Sequence, residues 1–270
     1  MTDQVNWPGG AATPFTLDDR NRPGGAANPF TADDLPPVGL DIDVLVGRYA
    51  DCPGPSGEPA DVAATLAANG IARAAVASLR AALFDVPSGN DETAALTGPG
   101  VVPVGGVDLR DPLGAEREVV RLAERGFRAV RLFPDDQHVE PDFPSVRHVA
   151  RRATEAGLVV LAGGDVRRFW RPLRGATVVF LDTHFYHLGD FVVVARDEPG
   201  FHTSTRLLNS PDALETVVAQ IGAERLLYGS RTPLYEAVVP RLRLARSGLE
   251  KADVAAVAGG NAHRILGLDA

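Results

Sequence analysis

The sequence predicts a single (β/α)₈ barrel preceded by an extended N-terminal tail, on three observations. Eight short β-branched or aliphatic runs occur from Val38 onward, and segments of helical period separate them. The length of 270 residues is close to the roughly 250 that one such barrel takes, so no second domain is required.

In chain order, the strands are predicted at Leu40–Val46, Ala72–Ser78, Val101–Val107, Ala129–Phe133, Leu158–Ala162, Thr177–Leu181, weakly around Phe201, and at Arg225–Tyr228. Helices are predicted at Pro59–Asn69, Pro112–Arg125, Val146–Ala156 and Pro211–Ile221. Their apolar residues recur every three or four positions, and proline begins several of them, where its missing N–H costs nothing. An open doubly wound sheet would alternate in the same way. The glycines after the first strand, Gly47, Gly54 and Gly57, are too scattered for the dinucleotide fingerprint of such sheets, which favours the barrel.

Apolar residues make up 45% of the chain and charged residues 23%, enough to bury a substantial core. A formal charge of −8 argues against a nucleic-acid or acidic-membrane surface. A single cysteine, Cys52, excludes an internal disulfide and a zinc site built from several thiolates. No basic leader with an apolar run and no stretch of about 18 apolar residues occurs, so a cytoplasmic, non-membrane protein is expected. Homo-oligomerisation stays open.

Residues 1–38 are expected to form a flexible tail and residues 39–270 the barrel. In the tail, Asn6–Asp19 (NWPGGAATPFTLDD) recurs as Asn21–Asp34 (NRPGGAANPFTADD), identical at 11 of 14 positions. Each copy sets Phe15 or Phe30 between a proline and an acidic pair, as a linear recognition element with one apolar anchor would. A duplicated flexible linker has the same composition. A protein partner reached through residues 6–34 and a plain linker are therefore both consistent with the sequence.

The ordered series DIDVLVG (Asp41–Gly47), VRLFP (Val130–Pro134), THFY (Thr183–Tyr186), RLLYGSRTP (Arg225–Pro233) and GNAHRIL (Gly260–Leu266) resembles the amidohydrolase-related family of metal-dependent hydrolases (amidohydrolase family 2). The resemblance spans roughly Val38–Leu268 and implies a TIM barrel. It also implies a metal held by two histidines after strand one, single histidines after strands five and six, and an aspartate after strand eight. Here those positions fall on Asp43 and Leu45, near Gly163, on His184, and on Arg231. Leucine and glycine offer no ligand and a guanidinium repels a cation, so the standard metal centre is expected to be missing and no cofactor is called for.

Barrel sites form at the C-terminal ends of the strands, where Asp43, Arg131, Asp165, His184 and Arg231 all fall. In the enzyme reading Asp43 and His184 move protons while Arg131 and Arg231, with Asp165, hold a small anionic or amide-bearing substrate or peptide. Each residue also has a structural reading: Asp43 and Arg231 as a buried pair plugging the mouth, His184 as a hydrogen-bonded strand-end histidine, Arg131 as a loop brace, Asp165 as a helix cap. His263 is read as structural, beside Asn261 as an N-cap. Two functions follow: a hydrolase- or decarboxylase-like protein without the standard metal, or an inactive barrel serving as a binding or scaffold protein with the repeated tail as docking or substrate peptide.

Overall fold

In the computed structural model, which describes residues 35–49, 54–96 and 98–269, eight parallel strands follow one another around a barrel in sequence order. They are β1 (Asp41–Val46), β2 (Ala74–Ser78), β3 (Val101–Gly106), β4 (Ala129–Leu132), β5 (Val159–Ala162), β6 (Val178–Phe180), β7 (Phe201–Ser204) and β8 (Leu226–Leu227). The ring closes where the Ile42 N–H donates to Tyr228 O (3.0 Å) and the Leu45 N–H to Thr232 O (2.8 Å). All eight expected strands form, including the weak one at Phe201, whose sequence FHTS hides its burial behind polar residues.

Helices α1 (Pro59–Ala68) and α4 (Pro112–Glu124) open on proline as expected, α5 (Pro144–Glu155) opens on Pro144, two residues ahead of the expected start at Val146, and Asp111 caps α4 by accepting from the Gly114 N–H. The helix expected at Pro211–Ile221 begins instead at Ala213 and forms α8 (Ala213–Ile221). The two longest helices that escaped the periodicity are each fixed by tertiary packing. One is α3 (Val86–Ala95), which follows the short α2 (Leu79–Leu83) and has few apolar residues. It is fixed by long-range bonds: buried Asn90 donates to Gly106 O (2.9 Å) and accepts from the Gly106 N–H (2.7 Å). The other is α7 (Leu188–Asp197), whose Val192–Val194 run favours strand locally but packs as a helix outside β6 and β7. Short α6 (Val166–Phe169) follows β5, and α9 (Val238–Ala245), α10 (Lys251–Ala255) and α11 (Asn261–Leu266) complete the outer layer.

Two apolar layers result. Val44, Val46, Val76, Val130, Val160 and Val178 face the helices, while Ile42, Leu45, Val104, Leu161, Val179 and Leu227 fill the barrel. Leu40, Ala262 and Leu266 join the inner group at its floor. Asn261 is not the expected cap: it is the first residue of α11, and its side-chain amide donates to Ala223 O and Leu226 O, tying the helix to the start of β8. His263 bonds through Nδ1 to Gly259 O (2.9 Å).

Among the described residues, the segment just before β1 already contacts the barrel. Val38 bridges to Ile71, and buried Arg241 donates to the carbonyls of Leu35 and Pro36. The repeat and Cys52 lie outside the described residues. Among the described residues no helix is long and apolar enough to cross a membrane.

Candidate functional site

A bulge in β1 creates the site. Asp41 pairs with Ala74 but Val44 pairs with Val76, so β1 carries one residue more than its neighbour over this interval. Strict alternation would put Asp41 and Asp43 on one face; the extra residue breaks it. Asp43 turns into the barrel mouth, and Asp41 remains outside, where its Oδ1 accepts from the Asp43 N–H (3.0 Å) and the Ser230 N–H (3.1 Å) and so holds the bulge.

Inside the mouth Asp43 meets three guanidiniums. Arg131, at the end of β4, donates from Nη1 to Oδ1 at 2.6 Å. Arg231, just past β8, donates from Nε to Oδ2 at 3.3 Å, and Arg206, just past β7, brings Nε to 3.6 Å. Asp182, just past β6, is shared by Arg231 (Nη2 to Oδ1, 2.8 Å) and Arg206, and its Oδ2 accepts from the Gly164 N–H (2.8 Å). Arg231 holds its place with φ +60, a backbone region that costs a non-glycine residue about 1 kcal/mol or more and clusters at functional sites.

The electrostatics follow from burial and pairing. Full burial would raise the Asp43 pKa, but the charges of Arg131, Arg231 and Arg206 outweigh it and hold the carboxyl at about 2. For Arg231, the charges of Asp43 and Asp182 outweigh a burial effect of the opposite sign and raise its pKa. Asp41 has no such partner. Burial pushes it up to about 7, and its Oδ2 has no hydrogen-bond partner.

A cleft of about 150 Å³ lies against this network, lined by Tyr49, Arg131, Asp135, Asp136, Asp182 and Arg231 among others. Gly163 also borders it. A Cβ there would stand 3.2 Å from Leu132 O and 3.4 Å from Asp182 Oδ2, so a side chain would press on the network.

Asp43, Arg131 and Arg231 thus converge, as expected from their strand ends. His184 and Asp165 do not join them. His184 is half-buried and caps the turn Phe185–His187, with Nδ1 accepting from the Tyr186 N–H (3.3 Å) and its ring stacked on Tyr186 at 4.8 Å. Asp165 caps α6 by accepting from the Arg167 N–H (2.9 Å), and the Arg167 guanidinium occupies both its oxygens. Sequence reasoning missed Asp182 and Arg206. Both sit two residues past a strand, the signal that selected the others, but β6 and β7 were read too coarsely to fix their ends.

Neither a known protein-family profile nor a curated protein sequence matches this chain. Solved structures do. The 5-carboxyvanillate decarboxylase of Sphingomonas paucimobilis superposes with TM-score 0.66 at 14% identity, covering 86% of this chain and 99% of the other. An uncharacterised TIM-barrel protein of Bordetella bronchiseptica gives 0.68 at 17% identity, over 84% and 98%. A Staphylococcus aureus structure described as an amidohydrolase gives 0.68 at 12% identity, over 85% and 99%. The fold, a TIM barrel, is the one these structures share. At these identities the likeness is one of architecture, and fold alone does not carry function.

The residues at the mouth of this barrel do not fit a divalent metal. Among the described residues no three His, Cys, Asp or Glu side chains converge to hold one. The carboxylate best placed to ligate, Asp43, already faces three fixed cations that would repel a fourth charge of the same sign.

Proposed function

We propose that this chain is a non-hydrolytic binding protein on an amidohydrolase-type barrel, with fixed protein charges where a metal-dependent enzyme would carry its ion. The enclosure of Asp43 by Arg131, Arg206 and Arg231 carries this reading. A general base must accept a proton near working pH, and a carboxyl held at about 2 by three guanidiniums accepts one poorly. Arg231 stands where the resemblance expects an aspartate and has no proton to release at neutral pH. The mouth is therefore built to hold charge in place, and a small charged ligand beside Arg231 and Tyr49 is what it would recognise.

Decarboxylation of an aromatic carboxylate, the activity of the Sphingomonas paucimobilis protein, is the competing reading. Guanidiniums do suit a substrate carboxylate. Here, however, their closest acceptors are the protein's own Asp43 and Asp182. The repeated segment enters this reading as the expected docking peptide.

The test is metal analysis of the full chain together with assays for CO₂ release from 5-carboxyvanillate and for amide and ester hydrolysis, with and without added zinc or manganese. Substoichiometric metal and no turnover are expected. Stoichiometric metal, with turnover that Asp43→Asn removes, would overturn the reading.

A further inference from the structure

Helix α9 turns an apolar stripe away from the barrel. Its Pro240 and Leu244 are buried, whereas Val238, Leu242 and Ala245 recur at spacings of four and three residues and so share another face, with Val239 one turn before Leu242. Val239 is 47% exposed and Leu242 39%, and Val238 and Ala245 are half-buried. Single exposed apolar residues are ordinary on a surface, but four adjoining ones on one short helix form a patch.

The same helix is basic. Residues 238–247 contain three arginines and no acidic residue. Arg243 pairs with Glu215 of α8 at 2.6 Å. Buried Arg241 instead donates to the carbonyls of Pro36 (2.8 Å) and Leu35 (3.1 Å), and among the described residues no carboxylate neutralises it.

Those two bonds fix where the chain arrives. They hold Leu35 against α9, and the five residues before it read Phe-Thr-Ala-Asp-Asp, the aromatic anchor and acidic pair that end the second copy of the repeat. An extended chain covers about 17 Å in five residues and α9 is about 12 Å long, so Phe30 reaches any part of the stripe.

We infer that the N-terminal repeat docks in cis on α9, with the Phe30 ring on Val239 and Leu242 and the acidic pair Asp33 and Asp34 in the field of Arg241. The ring covers apolar area that water otherwise wets, and two negative charges meet a helix whose side chains carry only positive ones. Pro29 before the ring and Pro36 and Pro37 after the acidic pair stiffen the segment, which lowers the entropy lost on docking. The first copy, with Phe15, lies fifteen residues farther out and lacks the short tether, so the second copy takes the face. The inference rests on the docking reading of the repeat and gives it a surface. It does not depend on what the mouth binds: turnover of 5-carboxyvanillate would remove the binding reading and leave this one standing.

The duplication supplies its own control. Phe15 and Phe30 both lie between proline and threonine, so chymotrypsin cuts after the two at similar rates when neither is docked. A docked segment is cut from its released form, so in the native full chain Phe30 should be cut about tenfold or more slower than Phe15. Leu242→Asp and, separately, Val239→Asp should bring the two rates within about twofold of each other, with the thermal midpoint in place because both positions are exposed. Leu242→Met should keep the difference. Equal cutting at Phe15 and Phe30 in the native chain would overturn the inference. So would slow cutting at Phe30 that persists in both aspartate variants, since nearness to the folded barrel would then explain it. Protection of Phe30 that fades on dilution, together with a dimer in sedimentation, would also overturn it and give the face to a second copy of the chain.

Discussion

Asp41 and Asp43 lie two residues apart in β1, and neither exposes any surface, yet burial acts on them in opposite ways. Asp43, inside the mouth, is held as a carboxylate at about 2 by three guanidiniums. Asp41, on the outer side between β1 and β8, has two backbone N–H donors, no cation, and a carboxyl pushed up to about 7. Two amides do not replace the water that a carboxylate loses, whereas three fixed positive charges do. One side of the strand is thus built to keep a charge and the other to suppress one, with the bulge between them deciding which aspartate goes where.

The largest effect should come from Asp43→Leu. It leaves Arg131, Arg206 and Arg231 with Asp182 alone, and removing one partner from a buried ionic cluster costs about 3–5 kcal/mol. Urea unfolding measures it, and a loss below about 1 kcal/mol would mean that water reaches the network. Arg231→Leu should cost less, because Asp43 keeps Arg131 and Arg206; this revises the simple two-residue plug that the sequence suggested. Combining Arg231→Leu with Asp43→Leu should recover part of the loss.

The pH dependence sharpens the contrast. Asp41 titrates near 7 in the fold against 3.8 for an ordinary aspartate, so between these values the folded chain binds the extra proton and stability falls as pH rises. That loss, up to about 4 kcal/mol, is complete above pH 7 and should disappear in Asp41→Asn, seen as a flatter plot of unfolding free energy from pH 4 to 8. Asp43 runs the other way. Its contribution is present above pH 4 and lost as pH falls through about 2. An Asp41→Asn variant with an unchanged slope would show that Asp41 stays ionised.

A smaller effect is expected from Tyr228→Phe. The buried Tyr228 phenol, whose pKa is raised by burial and then by Asp41, donates to Ala237 O at 2.6 Å. Losing that donor should cost about 1–2 kcal/mol in thermal or urea unfolding.

The smallest concerns Asp165, an aspartate that remains partly exposed. Asp165→Ala removes a cap from a four-residue helix and a solvated ion pair, together worth about 1 kcal/mol or less. Binding of a small charged ligand beside Arg231 should be unchanged. A marked loss of affinity would bring Asp165 into the binding site after all.

The sequence by itself determined the eight-stranded barrel, because alternating β-branched runs and proline-led amphipathic segments are local signals that survive into the fold. It also placed Asp43, Arg131 and Arg231 together, since strand ends converge in a barrel whatever the details of packing. Asp182 and Arg206 were legible in principle, needing only strand ends fixed to within two residues. The fates of Asp41 and Asp43 were not. Residues two apart share a face until a bulge intervenes, and this one shows only in the pairing of β1 with β2 and β8, distant in sequence. Helix α3 was hidden for the same reason, its anchor Asn90 finding its partners on Gly106 and Glu118 only after the barrel closes. Local chemistry chose the elements and their order. Tertiary pairing chose which side each charged residue faces, because a side chain's direction in a strand is set by its register against neighbours that the local sequence does not contain.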